Sequence, residues 1–247
     1  MSQRKSIETD VDGSGSAMGV AANNDVAMPS VVISLDLEMR WGVHDRVGAN
    51  MEAYRENLEN VREVVPALLQ LFSERRLRAT WASVGALGCD NWGEYFSRAP
   101  TPPRYRNSRL AVARLYADLD PDGRLHFAPE LLQLVKDTDG QELATHTFSH
   151  IYMQEPGVTS VDVMEDLEAV SLLWADKFGS PPKSLVFPRN QHAFLSVIAE
   201  SPVKIWRGPE NSWLHNRIHD STIFSIHRPM RLLESINPLV RHSARVQ

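Results

Sequence analysis

The run from Val31 to Leu87 constrains the fold most, because its pattern predicts a strand, a helix and a second strand. VVISLDL (31–37) consists mainly of β-branched and apolar residues, which is typical of a buried strand. Residues 57–77 place apolar side chains at helical spacing, with Glu and Arg between them. RATWASVGAL (78–87) is a second apolar strand. Two strands joined by a helix pair in parallel, so the sequence predicts an α/β fold with a parallel sheet.

Strands and helices continue to alternate after this first unit. The predicted elements are a helix over about 129–136, a strand ending near Thr145, a helix over 162–178, a strand in SLVFPRNQ (184–191) and a strand over 203–206. The chain has 247 residues, a length at which barrels of alternating strands and helices are common. We therefore expect a barrel-like α/β domain.

Three segments interrupt this regular pattern. Pro66 lies inside the first predicted helix and favours either two shorter helices or a kink. Residues 91–109 contain three prolines and several aromatic residues, which predicts a long irregular and functional loop. Residues 1–29 are rich in Ser, Gly, Ala, Asn and Asp and lack apolar periodicity, so we expect a disordered tail there and order from residue 30 onward.

Charge and composition exclude several classes of protein. A net charge of −5 gives no reason to expect nucleic acid or an anionic membrane as partner. The single cysteine, Cys89, excludes an internal disulfide framework. The start of the chain lacks the apolar stretch of a secretory signal, and no run approaches the roughly 18 apolar residues of a membrane span. We therefore expect a cytoplasmic protein without a membrane span, whose oligomeric state stays open.

Two histidines four residues apart, His146 and His150, follow a predicted strand in QELATHTFSHIY. Neutral imidazole binds divalent metals well, and this spacing can bring both rings to one ion. A second pair with the same spacing, His215 and His219, lies in a polar stretch that no predicted strand precedes. The first pair is therefore the candidate metal site.

Two carboxylates, Asp36 and Glu38, stand at the end of the first predicted strand. Residues two apart point to the same side of an extended chain. A surface or capping role is the ordinary explanation for such a pair. The carboxyl ends of parallel strands meet on one face of a barrel, however, and Arg189 follows another strand. We expect these side chains and the histidines to share that face.

Five motifs together resemble the polysaccharide deacetylases, the NodB-homology domain of carbohydrate esterase family 4. They are VVISLDLEMRWGVHD, RATWASVGAL, GQELATHTFSHIY, LVFPRNQ and WRG, which occur in the family's order over roughly residues 31–236. The resemblance implies a distorted TIM-like (β/α) barrel of the NodB type. It also implies the metal-dependent hydrolysis of N-acetyl or O-acetyl groups on a carbohydrate substrate, commonly with zinc.

The resemblance also implies a role for each candidate residue. His146, His150 and Glu38 are expected to bind the metal, Asp36 to act as catalytic base, and Arg189 to orient Asp36 through a charge-assisted hydrogen bond. Two departures from the family pattern concern these roles. The usual first motif has two adjacent aspartates, where this chain has Leu37 and then Glu38, and the usual third-motif arginine precedes the proline that Arg189 follows.

Substrate contacts are expected from Trp41, Tyr152 and Arg207, with Trp213 as a further aromatic face for a sugar. An aromatic residue at such a position is more often part of the core or the rim, and that alternative stays open.

The family's last strand carries a histidine that acts as general acid. His227, in FSIHRP, is a poor match for it, so we expect a domain that is truncated at its C-terminal end. A positioned general acid contributes about 10² to 10⁴ in rate. Two alternatives therefore stay open beside the deacetylase: an inactive carbohydrate-binding protein that lacks the acid, and a hydrolase of a small cyclic amide or ureide.

Overall fold

The computed structural model describes residues 31–46, 51–110 and 120–208. From residue 32 onward, these described residues belong to one compact unit. Several predictions lie outside the described residues, namely those for the tail at 1–29 and for Trp213, His215, His219 and His227.

The described core is a sheet of five parallel strands in the order β1-β2-β3-β4-β5. Their bounds are β1 Ser34–Leu37, β2 Ala79–Ser83, β3 Gln141–Thr145, β4 Ser184–Val186 and β5 Ile205–Arg207. The sheet curls so far that its two outer strands meet: Arg207 on β5 donates a hydrogen bond of 2.7 Å to Ser34 Oγ on β1. The predicted α/β class and the incomplete barrel of parallel strands are confirmed.

Helices connect the strands, as the alternating pattern predicts. The α-helices are α1 Met51–Arg75, α2 Trp92–Arg98, α3 Pro129–Asp137, α4 Ser160–Phe178 and α5 Leu195–Glu200. Short 3₁₀ helices cover Met39–Arg46, Gly85–Gly88, Ser108–Leu110 and Pro188–Asn190. None of the described helices combines the length and apolar character that crossing a membrane requires.

The structure differs from two expectations about helices. Helix α1 continues through Pro66 as one helix and not as two shorter ones, because it buries Val65, Leu69 and Phe72 in the core and this burial outweighs the hydrogen bond that proline removes. Helix α2 occupies part of the segment that we expected to be irregular. Its start is capped by Asn91, whose side chain accepts a hydrogen bond of 3.0 Å from the backbone N–H of Glu94.

The apolar side chains form two clusters. The larger one packs α1, α3 and α4 against the sheet through large and fully buried side chains, including Trp81, Leu87, Leu132, Phe148 and Trp174. The smaller one lies around β4 and α5 and includes Ile151, Leu167, Leu185, Phe187 and Ile198. Both clusters contain residues from the segment that follows β3, so this segment is packed on two sides.

Helix α4 has well-defined ends that fix its position. Thr159 and Asp162 form a capping box at its start, in which each side chain accepts a hydrogen bond from the other residue's backbone. At its end, Gly179 has a left-handed φ of 79°, a conformation that glycine adopts without strain.

Candidate metal centre

Three side chains converge at the carboxyl ends of β1 and β3. Glu38 comes directly after β1, His146 comes directly after β3, and His150 lies four residues further on. Their potential ligand atoms all lie within 4.8 Å of one another. The carboxyl ends of neighbouring parallel strands share one edge, and the turn after β3 brings the second imidazole back to that edge.

The distances in this cluster suit a common metal ion. Glu38 Oε1 lies 2.9 Å from His146 Nε2 and 3.3 Å from His150 Nε2, and the centroids of the two rings are 5.1 Å apart. Two atoms bonded to zinc at about 2.0–2.1 Å and at a tetrahedral angle are about 3.4 Å apart. One carboxylate and two imidazoles are also a known ligand set of catalytic zinc sites.

The hydrogen bonding of His146 supports a cation more strongly than the spacing does. Its side chain is only 1% exposed, yet neither ring nitrogen makes a hydrogen bond within the described part of the chain. The 2.9 Å approach to Glu38 lacks the alignment of a hydrogen bond. Buried polar atoms are nearly always paired, because an unpaired one loses its hydration without compensation. A metal ion would satisfy one of these ring nitrogens, so the residues fit the ion that the resemblance implies.

The protonation states of this cluster also suit a metal. Burial raises the pKa of Glu38, but His146 and His150 oppose this effect and hold that pKa well below its ordinary value. Burial lowers the pKa of His150; the hydrogen bond to Glu38 and its charge oppose this shift, while His146 and Arg189 add to it, and the pKa stays below its ordinary value. Glu38 is therefore anionic and His150 neutral near pH 7, which are the forms that bind a metal.

Left-handed residues other than glycine concentrate at the same edge. They are Met39, Thr147, His150, Arg189, Asn190 and Phe194, with φ between 47° and 66°. Among the described residues, the one further case is Arg76 at the end of α1. Such conformations are strained, and they accumulate where surrounding contacts hold a functional site in place.

An arginine from β5 lies beside Asp36. Arg207 Nη2 lies 3.6 Å from Asp36 Oδ1, and the same guanidinium donates hydrogen bonds to Ser34 and to Asn190. Arg189 stacks on the ring of Tyr152, 4.3 Å from its centroid. The pairing of Arg189 with Asp36 stays a prediction, while the structure brings Arg207 from β5 to the end of β1.

Two of the three aromatic residues expected to bind a sugar, Trp41 and Tyr152, lie in the core. Trp41 is 2% exposed, and its indole N–H donates a hydrogen bond of 2.8 Å to the carbonyl of His126. Tyr152 is fully buried and meets the ring of His150 edge-on, with centroids 5.1 Å apart. A sugar stacks only on an exposed ring face, so this burial argues against both substrate contacts and places Tyr152 behind the candidate ligand His150.

Comparison with known family models gives no match, and neither does comparison with curated protein sequences. Solved structures with a similar fold include a pseudoenzyme of carbohydrate esterase family 4 from Bacillus anthracis, at 9% identity and a TM-score of 0.38. They also include a family 4 carbohydrate esterase from Streptomyces lividans in complex with acetate, at 15% identity and a TM-score of 0.38. A de-N-acetylase from Aggregatibacter actinomycetemcomitans matches at 14% identity with a TM-score of 0.44.

These matches cover 68%, 70% and 78% of this chain. The chain in turn spans 39%, 59% and 69% of the three matched chains. Family 4 carbohydrate esterases, which the sequence motifs resemble, thus recur among the solved structures of similar fold.

Proposed function

We propose that the chain is a metal-dependent hydrolase that removes acetyl groups from N-acetylated sugars of a polysaccharide or a glycan precursor. The observation that carries this proposal is the convergence of Glu38, His146 and His150, with the exposed carboxylate of Asp36 two residues before Glu38 at the end of β1. The motif resemblance supplies the reaction class. Zinc is the metal that this ligand set favours.

Each of these residues would have a separate role in the hydrolysis. Glu38, His146 and His150 would hold the cation, which when bound supplies Lewis acidity and lowers the pKa of a water molecule. Asp36 would accept the proton of the attacking water as general base. Arg207 would hold the carboxylate of Asp36 in one orientation, because its guanidinium is itself anchored by Ser34 and Asn190.

Acetate release from N-acetylglucosamine oligomers tests the proposal directly, with other N-acetylated hexosamines as further substrates. The zinc-loaded protein should release acetate with steady turnover, and removing the metal with a chelator should stop the release until zinc is restored. A rate that a chelator leaves unchanged would contradict the metal-dependent mechanism.

Two alternatives predict different results in the same assay. A carbohydrate-binding protein without catalysis would bind zinc and an N-acetylated oligosaccharide but release no acetate. A hydrolase of small cyclic amides or ureides would leave the sugars intact and open the ring of a hydantoin-type substrate. Both alternatives are compatible with the departures of this sequence from the family's first and third motifs.

Replacing Arg207 with methionine should lower kcat by about 10- to 100-fold, because a misplaced catalytic group costs rate on this scale. Zinc content should stay at the wild-type level, since Arg207 touches none of the three ligands in the contacts described above. Arg207→Lys should recover part of the rate by restoring the charge. Arg104→Met, at an exposed arginine, is the matched control. Wild-type turnover in Arg207→Met would remove Arg207 from the mechanism.

A further inference from the structure

A carboxylate on α4 binds the loop that carries both histidine ligands. Asp166 Oδ1 accepts a hydrogen bond of 2.6 Å from the backbone N–H of Phe148. Asp166 Oδ2 accepts hydrogen bonds from the backbone N–H and the hydroxyl of Ser149, at 3.0 and 2.5 Å. The side chain is 1% exposed, so these three donors replace its hydration. Asp166 thus fixes the two residues that directly precede His150.

The 3₁₀ helix after β2 holds the same loop from its other side. The backbone N–H of Gly85 donates a hydrogen bond of 2.7 Å to the carbonyl of Thr147, and that of Ala86 donates one of 2.9 Å to the carbonyl of Phe148. A Cβ atom at Gly85 would lie only 2.6 Å from the side chain of Val170 on α4, so the packing here requires glycine. The loop between the ligands is therefore held between two elements.

The backbone of the loop explains why it needs such support. Thr147 and His150 have φ of 66° and 59°, in the left-handed region that β-branched and bulky residues avoid. A strained conformation persists only where its surroundings determine it. These two left-handed residues reverse the chain after His146, so that both imidazoles face Glu38.

The charge of Asp166 is unfavourable for folding. Burial raises the pKa of its carboxyl from the ordinary value of 3.8 to about 6, although the three hydrogen bonds oppose the shift. A folded-state pKa above the unfolded value means that ionisation reduces stability as the pH rises past about 4 toward 6. A neutral asparagine would remove this cost, but its N–H₂ group would leave donors of the loop without an acceptor. Stability alone therefore does not separate a structural role of Asp166 from a role at the metal site.

We propose that Asp166 is a positioning residue of the metal centre, which fixes the orientation of His146 and His150 without touching the cation. The proposal rests on the metal site of the proposed function. Asparagine at position 166 keeps one acceptor oxygen but presents an N–H₂ group to donors that need a second acceptor. The loop then loses part of its support, and the two imidazoles lose their common direction.

Zinc affinity and thermal stability, measured together, test the proposal on the full chain. Asp166→Asn should raise the zinc Kd by about 10- to 100-fold in competition with a chromogenic chelator, the range typical of residues that orient metal ligands. The increase in Tm on adding zinc should become smaller than in the wild type, a change that a purely structural role for Asp166 does not predict, whatever the Tm of the metal-free variant. Glu168→Gln makes the same change in charge at an exposed position of α4 and should match the wild type.

Ser149→Ala provides a second variant that removes one of the three hydrogen bonds. It should raise the zinc Kd by roughly 2- to 10-fold, the effect of one hydrogen bond. This variant tests the positioning role of Asp166 even if Asp166→Asn does not fold. Wild-type zinc affinity in these variants would overturn the positioning role and leave the metal site standing. A wild-type chain that binds no zinc would overturn the metal site itself, together with this proposal.

Discussion

Alanine at both His146 and His150 is expected to abolish zinc binding. Zinc sites bind with apparent free energies of about 10–16 kcal/mol shared among about four ligands, so losing two ligands should lower affinity by about 10⁴-fold or more. Glu38 would remain as the single protein ligand of the three that converge. Elemental analysis of the purified variant should find no zinc, and metal-dependent acetate release should disappear with it.

The double variant needs a control for folding, because both rings are buried. His192→Ala, on the loop after β4, removes an imidazole outside the cluster and should keep a full complement of zinc. Circular dichroism should show the same helix content in both variants and the wild type. A double variant that is folded and still carries one zinc per chain would show that these histidines are not the ligands.

Asparagine in place of Asp36 should lower the rate of acetate release by about 10² to 10⁴, the contribution of a positioned general base. Asparagine has nearly the same shape but cannot accept the proton at neutral pH. Zinc binding should persist, because Asp36 is not among the three converging ligands. The measurement pairs acetate release with zinc content on the same preparation.

The matched control for this substitution is Asp139→Asn. It changes an exposed aspartate before the amino end of β3, whereas the cluster lies at the carboxyl end of that strand. It should keep the wild-type rate. If Asp36→Asn also keeps that rate, Asp36 is not the base. If it loses both rate and zinc, Asp36 contributes to metal binding instead.

The metal cluster could be predicted because its members follow strands directly. Glu38 and His146 each come one residue after a strand end, and parallel pairing carries such residues to a common edge. The approach of Arg207 to Asp36 could not be predicted in this way. It depends on how far the sheet curls to bring β5 toward β1, and strand patterns do not specify that curvature.

Burial was the other feature that residue types left open. Trp41 and Tyr152 follow strands closely enough to suggest a substrate surface, yet both rings are buried, and Trp41 packs against Trp92 and Tyr95 of α2. The role of Asp166 could not be predicted either, because the two residues it binds, Phe148 and Ser149, lie 18 and 17 residues away in sequence. The start of α2 could have been predicted from the sequence, because Asn91 and Glu94 have the spacing of a helix start.

A crystal structure of the zinc-loaded chain, with anomalous data at the zinc absorption edge, tests the three-ligand metal site directly. One strong anomalous peak is expected, at about 2.0–2.2 Å from a carboxylate oxygen of Glu38 and from one ring nitrogen each of His146 and His150. A zinc-loaded chain whose anomalous peak lies on other residues, with Glu38 turned away from the two imidazoles, would contradict it.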